Sequence, residues 1–353
     1  MPYYASAKET ARKWNVTQRR VAVLCAEKRV EGAMMVGNMW IIPSTAEKPE
    51  DKRKIKYKAE KQIKPFVKWA GGKGQLIEQI EKTAIADKSY KFTKYAEPMV
   101  GGGALFFDIV SKYNIKEVYI ADINAELINA YNIVKSDVDE LIKKLKAMQD
   151  VFLSMDENGR KDFYYSVRDK FNLLVLNNDT AIEKAACFIF LNKTCFFGLY
   201  RVNSKGRFNV PIGRYKNPSI CDEENLRKVS LCLKDVIIKC GDYERSADFI
   251  DSSTLVYLDP PYRPISKTSE FNSYNSETFN DDEQIRLAKF IDELNDKGAK
   301  IVLSNSDPKN TDVKDDFFDE LYKNYNIKRV QANRMINSKA DGRGKITELL
   351  IYN

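Results

Sequence analysis

The chain has 353 residues, of which 43% are hydrophobic and 31% charged, and its formal net charge is +8. Its length favours two or three domains, at least one of them large enough to hold an enzyme site. No apolar run approaches the roughly 18 to 20 residues that a membrane span needs, and residues 1–10 lack the features of a secretory signal. We therefore expect a globular, cytoplasmic protein, and the positive charge favours a polyanionic partner.

The counts of histidine and cysteine restrict the chemistry. The chain contains no histidine, and none of its six cysteines forms a C-x-x-C pair. These counts exclude an ordinary Cys/His zinc site and any nucleophile that is activated by histidine, and we expect no bound metal. Catalysis must use carboxylate, aromatic, lysine or backbone groups.

Residues 1–45 are predicted to form a small domain of their own. Ser6 and Glu9 have the spacing of a capping box at the start of a helix, and Thr17 can cap a second helix after a short turn. The dipeptide Gly37-Asn38 lies between apolar segments, which indicates a β-hairpin. The predicted order is therefore helix, turn, helix and hairpin.

This order resembles the winged helix-turn-helix of excisionase and MerR-type proteins, whose second helix enters the major groove of DNA. The resemblance implies that Arg19, Arg20 and Lys28 face phosphates or bases. A helical hairpin that mediates protein contacts through a solvated basic face is the alternative.

The remainder of the chain is predicted to be an α/β protein. Residues 46–64 form a basic linker with little apolar periodicity, and beyond it strand-like and helix-like segments alternate, which predicts a largely parallel sheet. Between 132 and 231 the alternation gives way to helices and one long loop. We therefore expect a catalytic domain over 65–131 and 232–353, interrupted by a mainly helical target-recognition domain over 132–231. The predicted strands are 94–97, 117–121, 236–239, 254–258 and 300–304.

A glycine-rich turn follows the predicted strand that ends at Glu97, and a helix is predicted directly after it. Gly101 and Gly103 permit a tight turn and the close approach of a ligand to the backbone. Asp122 ends the next predicted strand, where a carboxylate can accept both hydroxyls of a ribose. No P-loop lysine follows the glycines, so a nucleoside cofactor without phosphates, such as S-adenosylmethionine, fits better than ATP.

An aromatic residue and a lysine precede this turn in the sequence. Trp69 can offer an electron-rich face to a cationic methionine end, and Lys73 can pair with its carboxylate. The alternative is an amphipathic strand and turn with Trp69 in the core.

The most specific short motif is the tetrapeptide that runs from Asp259 to Tyr262, directly after an apolar strand. Two prolines fix the chain in an extended form and remove two amide donors, which leaves the carbonyl of Pro260 free to accept beside the carboxylate of Asp259. Two acceptors on the hydrogens of an adenine amino group favour a pyramidal, attacking nitrogen. Tyr262 can stack on a base that has swung out of the duplex.

From about residue 65 onward, these motifs and their order resemble the Dam family of class alpha, D12-type DNA adenine methyltransferases. The resemblance implies a Rossmann-like methyltransferase sheet with a recognition insertion. The matching segments are 68–73, 97–104, 122–124, 259–262 and 344–350.

The same resemblance implies how the site is divided. Residues 259–262 would hold the flipped adenine, and Asp242 and Tyr243 would contact the adenine of the cofactor. The resemblance implies Trp69, Lys73, Asp122 and Asp259 as cofactor residues, and the full predicted cofactor set is Trp69, Lys73, Glu97, Gly101, Gly103, Asp122, Asp242, Tyr243 and Asp259.

Aromatic residues alternate with cations between 191 and 216, which suits a surface that reads base edges, although a folded hairpin with exposed cations is the alternative. The stretch resembles the recognition hairpin of GATC-specific Dam members. The resemblance implies that Phe196 stacks near the target and that Lys68 reads a guanine. The predicted DNA contacts are Lys68, Phe196, Leu199, Arg201, Asn203, Pro211 and Arg214.

Two positions depart from the family pattern. Members usually carry Asn where this chain has Phe197, and commonly Phe where it has Met99. The first change puts a contact with the flanking or orphan base in doubt, and the second conserves shape.

We therefore expect a monomeric, site-specific adenine methyltransferase that flips its target base within GATC and transfers methyl from S-adenosylmethionine to N6. A companion restriction endonuclease fits this function. One alternative is a helix-turn-helix regulator with a degenerate methyltransferase domain. The other is a methyltransferase for RNA or protein glutamine, although those enzymes commonly have Asn where Asp259 stands.

Overall fold

The computed structural model comprises two compact units, 1–62 and 63–353. The described residues are 4–14, 16–27, 29–37, 39–49, 63–69, 76–85, 91–177, 181–263, 279–333 and 345–353. Lys28, Lys73 and positions 50–62 of the predicted linker lie outside the described residues.

The first unit is a three-stranded antiparallel sheet with two short helices. The strands pair in the order β1, β3, β2. Strand β1 was not predicted, because three residues are too few to show an alternating pattern. The elements are β1 (Tyr4–Ser6), α1 (Ala7–Trp14), α2 (Gln18–Ala26), β2 (Met34–Val36) and β3 (Met39–Pro43).

Side-chain caps fix where both helices of this unit begin. The Ser6 amide donates to the Glu9 carboxylate at 2.8 Å, and the Glu9 amide donates back to the Ser6 hydroxyl at 3.3 Å. The Thr17 hydroxyl accepts from the amide of Arg20 at 3.2 Å. These caps were predicted from residue spacing. The core beneath them includes Trp14, Val21, Leu24, Val30 and Ile42.

The second unit is built on a seven-stranded sheet, in the order β6, β5, β4, β7, β8, β10, β9. Every strand is parallel to the others except β10, which runs antiparallel to both of its neighbours. This sheet confirms the predicted α/β class. The strands are β4 (Lys94–Glu97), β5 (Glu117–Asp122), β6 (Ile237–Cys240), β7 (Thr254–Leu258), β8 (Lys300–Ser306), β9 (Asn326–Asn333) and β10 (Lys345–Tyr352).

One predicted strand begins a residue too early. Val236 belongs to the turn that leaves the preceding helix, because its amide donates to the Leu233 carbonyl at 3.0 Å. Its own carbonyl accepts from the Lys135 ammonium at 2.7 Å. Neither group of Val236 is therefore available to the sheet.

Helices cover both faces of the sheet, and five of the described helices lie between β5 and β6 in the chain. Side chains alternate along β4, so that Tyr95 faces one core and Ala96 the other. The helices of this unit are α3 (Ile77–Ile80, continued by a π-helical turn over Glu81–Ile85), α4 (Ala104–Lys112), α5 (Ala125–Ser136), α6 (Val138–Ser154), α7 (Glu157–Leu176), α8 (Ala181–Thr194), α9 (Glu223–Leu233), α10 (Asp281–Asp296) and α11 (Phe317–Leu321).

Helix α8 lies deepest among these five. Its residues 185–192 are all buried, and it shares one core with α5, α6 and α7 and with the adjacent face of the sheet. The C-terminal end of α8 therefore has a fixed position relative to the strand ends. No described helix is long and apolar enough to cross a membrane.

The direction of strand order reverses between β4 and β7, since β5 and β6 extend the sheet one way from β4 and β8 extends it the other way from β7. In open α/β sheets, ligands bind in the crevice at the carboxyl ends of the strands at such a reversal. The fold thus predicts a ligand crevice at the residues that follow β4, β5 and β7.

We predict that Gly103→Ala destabilises the protein more than Gly206→Ala does. Both glycines have φ near +70°, so each alanine costs about 1–2 kcal/mol of backbone strain. A Cβ at Gly103 would also lie 2.7 Å from the Tyr131 hydroxyl, whereas one at Gly206 meets nothing within 4 Å. The overlap should cost about 1–3 kcal/mol more, measurable as a lower denaturant midpoint. Equal losses would contradict the packing at Gly103.

Candidate active site

Three carboxylates arrive at one edge of the sheet because of the strand register. Glu97, the last residue of β4, pairs with Ile120 of β5. The neighbouring pair Ala96 and Val256 puts Tyr257 of β7 at the level of Glu97. Asp122 and Asp259 each follow two residues beyond these partners, and alternate residues of a strand share a face. All three carboxylates therefore belong to the same side of the sheet end.

Asp122 connects the end of β5 to the glycine-rich turn after β4. One carboxylate oxygen accepts from the Gly101 amide at 3.0 Å, and the other accepts from the Asn124 amide at 2.9 Å. Burial raises the pKa of Asp122, while these two amide donors lower it. The side chain is still partly exposed, so a ligand can reach it.

The glycine turn is closely packed against Trp69. Gly101 has φ +49°, and a Cβ there would lie 2.6 Å from Cδ1 of the Trp69 indole. The Trp69 ring also stacks with that of Tyr200, with centroids 5.9 Å apart. Trp69 is thus half-buried between the turn and the helical region. Its position beside the turn agrees with the predicted cofactor role, and its packing agrees with the alternative.

Glu97 is a buried acid at the centre of this edge, with 3% of its surface exposed. Burial, together with nearby Asp259, raises its pKa to about 8. A 2.6 Å hydrogen bond from the Tyr95 hydroxyl and one from the Phe106 amide oppose the shift. Glu97 is therefore mostly protonated near neutral pH.

The segment after β6 lies beside Asp122. The Gly241 amide donates to the Asp122 carbonyl at 3.0 Å, which places Asp242 at the same sheet edge. Asp242 forms a 2.8 Å ion pair with Arg286. The ring of Tyr243 is buried against Phe290, with centroids 5.3 Å apart. Any contact of Tyr243 with a ligand in this conformation would therefore come from its main chain.

The tetrapeptide after β7 places one aromatic side chain at the surface. Asp259 is half-buried, Pro260 is buried and Tyr262 is exposed. The Tyr262 hydroxyl donates to the Glu348 carboxylate at 2.7 Å. Burial, with Asp259 and Glu348 nearby, raises the pKa of Tyr262, so its hydroxyl remains protonated.

Buried amides support this loop from behind. The Gln284 amide on α10 donates to the Pro261 carbonyl at 3.3 Å, and Asn305 of β8 donates to Gln284 at 3.0 Å. Arg263 forms two hydrogen bonds with Asp281, at 2.6 and 2.8 Å. Sequence reasoning missed these residues because their partners are distant in the chain. Glu348 could have been found from the sequence, because it lies in segment 344–350, which resembles the family.

The predicted recognition stretch is a hairpin-like loop that begins where α8 ends and is held by two isolated antiparallel β-bridges. Cys195 pairs with Ile212, and Val202 pairs with Phe208. The Phe196 amide donates to the Pro211 carbonyl at 2.9 Å. The hairpin covers residues 196–211, of which Phe208 and Val210 are buried in the core shared with the helices.

Its predicted DNA-contacting residues differ in their contacts. The Arg201 guanidinium donates to the Asn209 amide oxygen at 2.7 Å, which holds an exposed cation in one orientation. The Asn203 side-chain oxygen accepts from the amides of Lys205 and Arg207, at 3.0 and 3.1 Å, and so caps the hairpin turn. Arg214 and Pro211 are exposed, whereas Leu199 is partly buried against the core.

Two adjacent phenylalanines form an exposed aromatic pair at the start of the hairpin. Phe196 and Phe197 are 47% and 49% exposed, and their ring centroids are 4.5 Å apart at 81°. Phe197 has φ +53°, the only positive φ of a non-glycine among the described residues. Asn tolerates that conformation better than Phe. The departure from the family pattern therefore carries a cost in backbone strain.

Lys68 reaches the same surface from the segment before Trp69. Its ammonium lies 4.0 Å from the centroid of the Tyr215 ring, at the end of the hairpin. Burial, together with nearby Lys68, lowers the pKa of Lys193 to about 8. Lys193 is a second cation at this surface that the sequence analysis did not single out.

The described residues fit a nucleoside cofactor at the ends of β4 and β5. Asp122 offers a partly exposed carboxylate, and Ile123 beside it is 69% exposed, an apolar surface suited to a flat base. Ile123 was missed because a single apolar residue after a strand gives no signal. In the described parts of the chain, no group of carboxylate and cysteine side chains is arranged to hold a metal ion.

Comparison with known proteins gives consistent matches. The family described as D12 class N6 adenine-specific DNA methyltransferase matches residues 69–336. The type II methyltransferase M.MjaIII of Methanocaldococcus jannaschii is 53% identical, over 83% of this chain and 99% of that protein. The type II methyltransferase M1.LlaDCHI of Lactococcus lactis is 37% identical, over 82% and 95%. The DNA adenine methylase of Haemophilus influenzae is 34% identical, over 84% and 96%.

We predict that Glu97→Gln makes stability less dependent on pH. A carboxyl whose pKa rises from about 4.3 in the unfolded chain to about 8 in the folded protein favours folding while it is protonated. Its contribution is full below the unfolded pKa and is lost as pH rises through the folded one. The difference in Tm, variant minus wild type, should therefore increase by roughly 3 °C or more when the pH is raised from 5 to 8.5.

The matched control is Glu117→Gln, which removes an exposed carboxyl from the neighbouring strand. Its Tm should follow that of the wild type across the same pH range. A constant difference in Tm between Glu97→Gln and the wild type would show that Glu97 is ionised in the folded protein.

Proposed function

This chain belongs to the D12 class of N6 adenine-specific DNA methyltransferases, and we propose that it methylates adenine within GATC, using the residues that meet at the ends of β4, β5 and β7. The observation that carries the assignment of residues is the strand register, which brings Asp259 beside Glu97 and Asp122 at the reversal of strand order. The type of reaction is that of the family, whose members act on adenine in DNA.

Asp259 and Pro260 are proposed to activate the adenine amino group. Its lone pair is delocalised into the ring, which makes the nitrogen a poor nucleophile. The Asp259 carboxylate and the Pro260 carbonyl each accept a hydrogen bond from the amino group and so favour a pyramidal nitrogen. Asp259 then takes the proton that the nitrogen loses. Tyr262 stacks on the flipped base, and its hydrogen bond to Glu348 fixes the plane of the ring.

The family implies S-adenosylmethionine as cofactor, which supplies a methyl group on a cationic sulfur when bound. We propose that Asp122 accepts the ribose hydroxyls and that Asp242 contacts the adenine of the cofactor, with Gly101 and Gly103 allowing close approach. Trp69 lies beside the cationic end, and Lys73, outside the described residues, pairs with the carboxylate. Glu97, which is mostly protonated near neutral pH, adds little negative charge to this edge.

The hairpin after α8 is proposed to read the target. Arg201 is presented by Asn209 in a fixed orientation, as bidentate reading of a guanine requires. Leu199 and Pro211 approach the neighbouring bases, and Phe196 enters the stack beside the flipped adenine. Lys68, Asn203 and Arg214 complete the contacts with DNA. The names of two relatives, type II methyltransferases, support a companion restriction endonuclease.

The first unit is proposed to be a winged helix-turn-helix that adds affinity for DNA. Its support is the sequence of two capped helices and a hairpin, with Arg19 exposed on α2. The unit, 1–62, precedes the residues matched by the family, which begin at 69. DNA binding by this unit is therefore additional to the shared methyltransferase activity.

We predict that Arg19→Ala weakens binding to duplexes of any sequence and reduces the slope of log K against log salt by about one phosphate contact. The matched control is Lys8→Ala, which removes one exposed charge from α1. Fluorescence anisotropy over a salt series measures both slopes. If the two variants behave alike, α2 is not the surface that contacts DNA.

We predict that label from methyl-labelled S-adenosylmethionine enters duplexes containing GATC and not their one-base variants, at N6 of adenine. Asp259→Ala should lose about 100-fold or more in kcat, measured at saturating cofactor and duplex. Asp235→Ala, a change of an exposed carboxylate, should retain full activity. Nucleoside mass spectrometry identifies the product.

Each part of the assignment has its own contrary result. Methylation of adenine at other sites would overturn GATC and the reading by Leu199, Arg201 and Pro211, but not the family reaction. Near-normal turnover by Asp259→Ala would overturn the catalytic role of that carboxylate.

A further inference from the structure

A single buried amide joins the recognition hairpin to the segment that carries Trp69. Asn192, in the last turn of α8, is 4% exposed. Its oxygen accepts from the Lys68 amide at 2.7 Å, and its NH2 group donates to the Lys68 carbonyl at 2.7 Å. The same NH2 group donates to the Gly198 carbonyl at 3.1 Å. Both amide hydrogens and the oxygen are therefore used.

Two further contacts hold the same pair of segments together. Gly198 lies so close to Lys68 that a Cβ on it would be 2.5 Å from the Lys68 Cβ. Just beyond these two residues, Trp69 stacks with Tyr200 at 5.9 Å and 22°. The contact between Lys68 and Gly198 is followed, further along both segments, by the contact between Trp69 and Tyr200. The two segments therefore run side by side over this stretch.

These contacts continue to the cofactor edge. Trp69 packs on Gly101, whose amide donates to Asp122. The Asn124 side chain lies near the Tyr200 hydroxyl and lowers its pKa, and the Asn124 amide donates to Asp122. Packed side chains and hydrogen bonds therefore run without a gap from the hairpin to the carboxylate proposed to bind ribose.

We propose that Asn192 is a positioning residue that couples cofactor binding to DNA recognition. The inference rests on the proposed function, in which Asp122 and Trp69 hold the cofactor and the hairpin reads the target. Breaking one bond of a buried, satisfied amide leaves polar groups unpaired, which is unfavourable. The Lys68 segment and the hairpin therefore move together, and a ligand that orders one orders the other.

The coupling must be reciprocal, since linkage requires that DNA tighten cofactor binding by the same factor as cofactor tightens DNA binding. Neither the methyl transfer step nor the base contacts involve the Asn192 side chain directly. Its effect should therefore appear in the ratio of the cofactor affinities measured with and without duplex.

The matched control is Asn172, an amide on α7 that also clamps the hairpin. Its oxygen accepts from the Phe208 amide at 2.8 Å, and its NH2 group donates to the Phe208 carbonyl at 3.1 Å. None of these bonds reaches Lys68. Asn192→Asp and Asn172→Asp make the same change, placing a carboxylate oxygen against a carbonyl, at two ends of one hairpin.

The experiment is calorimetric titration of S-adenosylhomocysteine into the full chain, alone and with a duplex that the enzyme methylates. The wild type should bind about 5- to 150-fold more tightly with duplex. Asn192→Asp should reduce that ratio to about 2-fold or less. Asn172→Asp should weaken duplex binding and keep the ratio of the wild type.

Three results would overturn the proposal: a wild-type ratio of one, an unchanged ratio in Asn192→Asp, or an equal loss in both variants. If Asn192→Asp does not fold, Gly198→Ala tests the same contact, because its Cβ would separate the hairpin from Lys68. Gly206→Ala, with φ +71° and no close neighbour, is its control for backbone strain.

Failure of the proposed function has a separate result. Arg201→Ala should reduce discrimination between the methylated site and its one-base variants by about 5- to 150-fold, while the affinity ratio stays that of the wild type. Unchanged discrimination would remove the hairpin from target recognition. The ratio measured for Asn192→Asp would still report whether the two segments are coupled.

Discussion

The parallel pairing of β4 with β5 on one side and β7 on the other is the constraint on which the rest of the structure depends. The carboxyl ends of parallel strands lie at the same edge of the sheet. Residues from three distant parts of the sequence therefore meet there. Taken separately, the glycine turn, the end of β5 with the acid proposed to bind ribose, and the tetrapeptide are ordinary strand ends and loops. Only the register makes them one site.

Bringing three carboxylates together creates an electrostatic problem that burial resolves. Glu97 lies deepest and remains protonated, and it is satisfied by the Tyr95 hydroxyl. Asp122 accepts from two backbone amides, which stabilise its negative charge without cancelling it. Burial nevertheless raises the pKa of Asp122, because desolvation outweighs these donors.

The sequence predicted what depends on local pattern. The strand at Thr254–Leu258 was placed correctly because it is a short apolar run before a distinctive turn, and the strand at Lys94–Glu97 because it directly precedes the glycine-rich turn. The side chains that support the site were missed because Gln284, Asn305 and Asn192 act on partners 21 to 124 positions away. Amides carry no periodic signal, and their burial follows from tertiary packing alone. The conformation of Phe197 was likewise invisible, although its departure from the family pattern was not.

The position of β10 imposes an order on folding. It lies between β8 and β9 in the sheet, yet it follows both in the chain. During synthesis on the ribosome, β9 has no partner until β10 emerges, and the edge of β8 remains open. The hydrogen bond from Tyr262 to Glu348 also cannot form before β10 is present, because Glu348 belongs to β10. A nascent chain thus cannot complete the support of its proposed base-stacking residue until β10 is made, so that a chain truncated before β10 should methylate weakly.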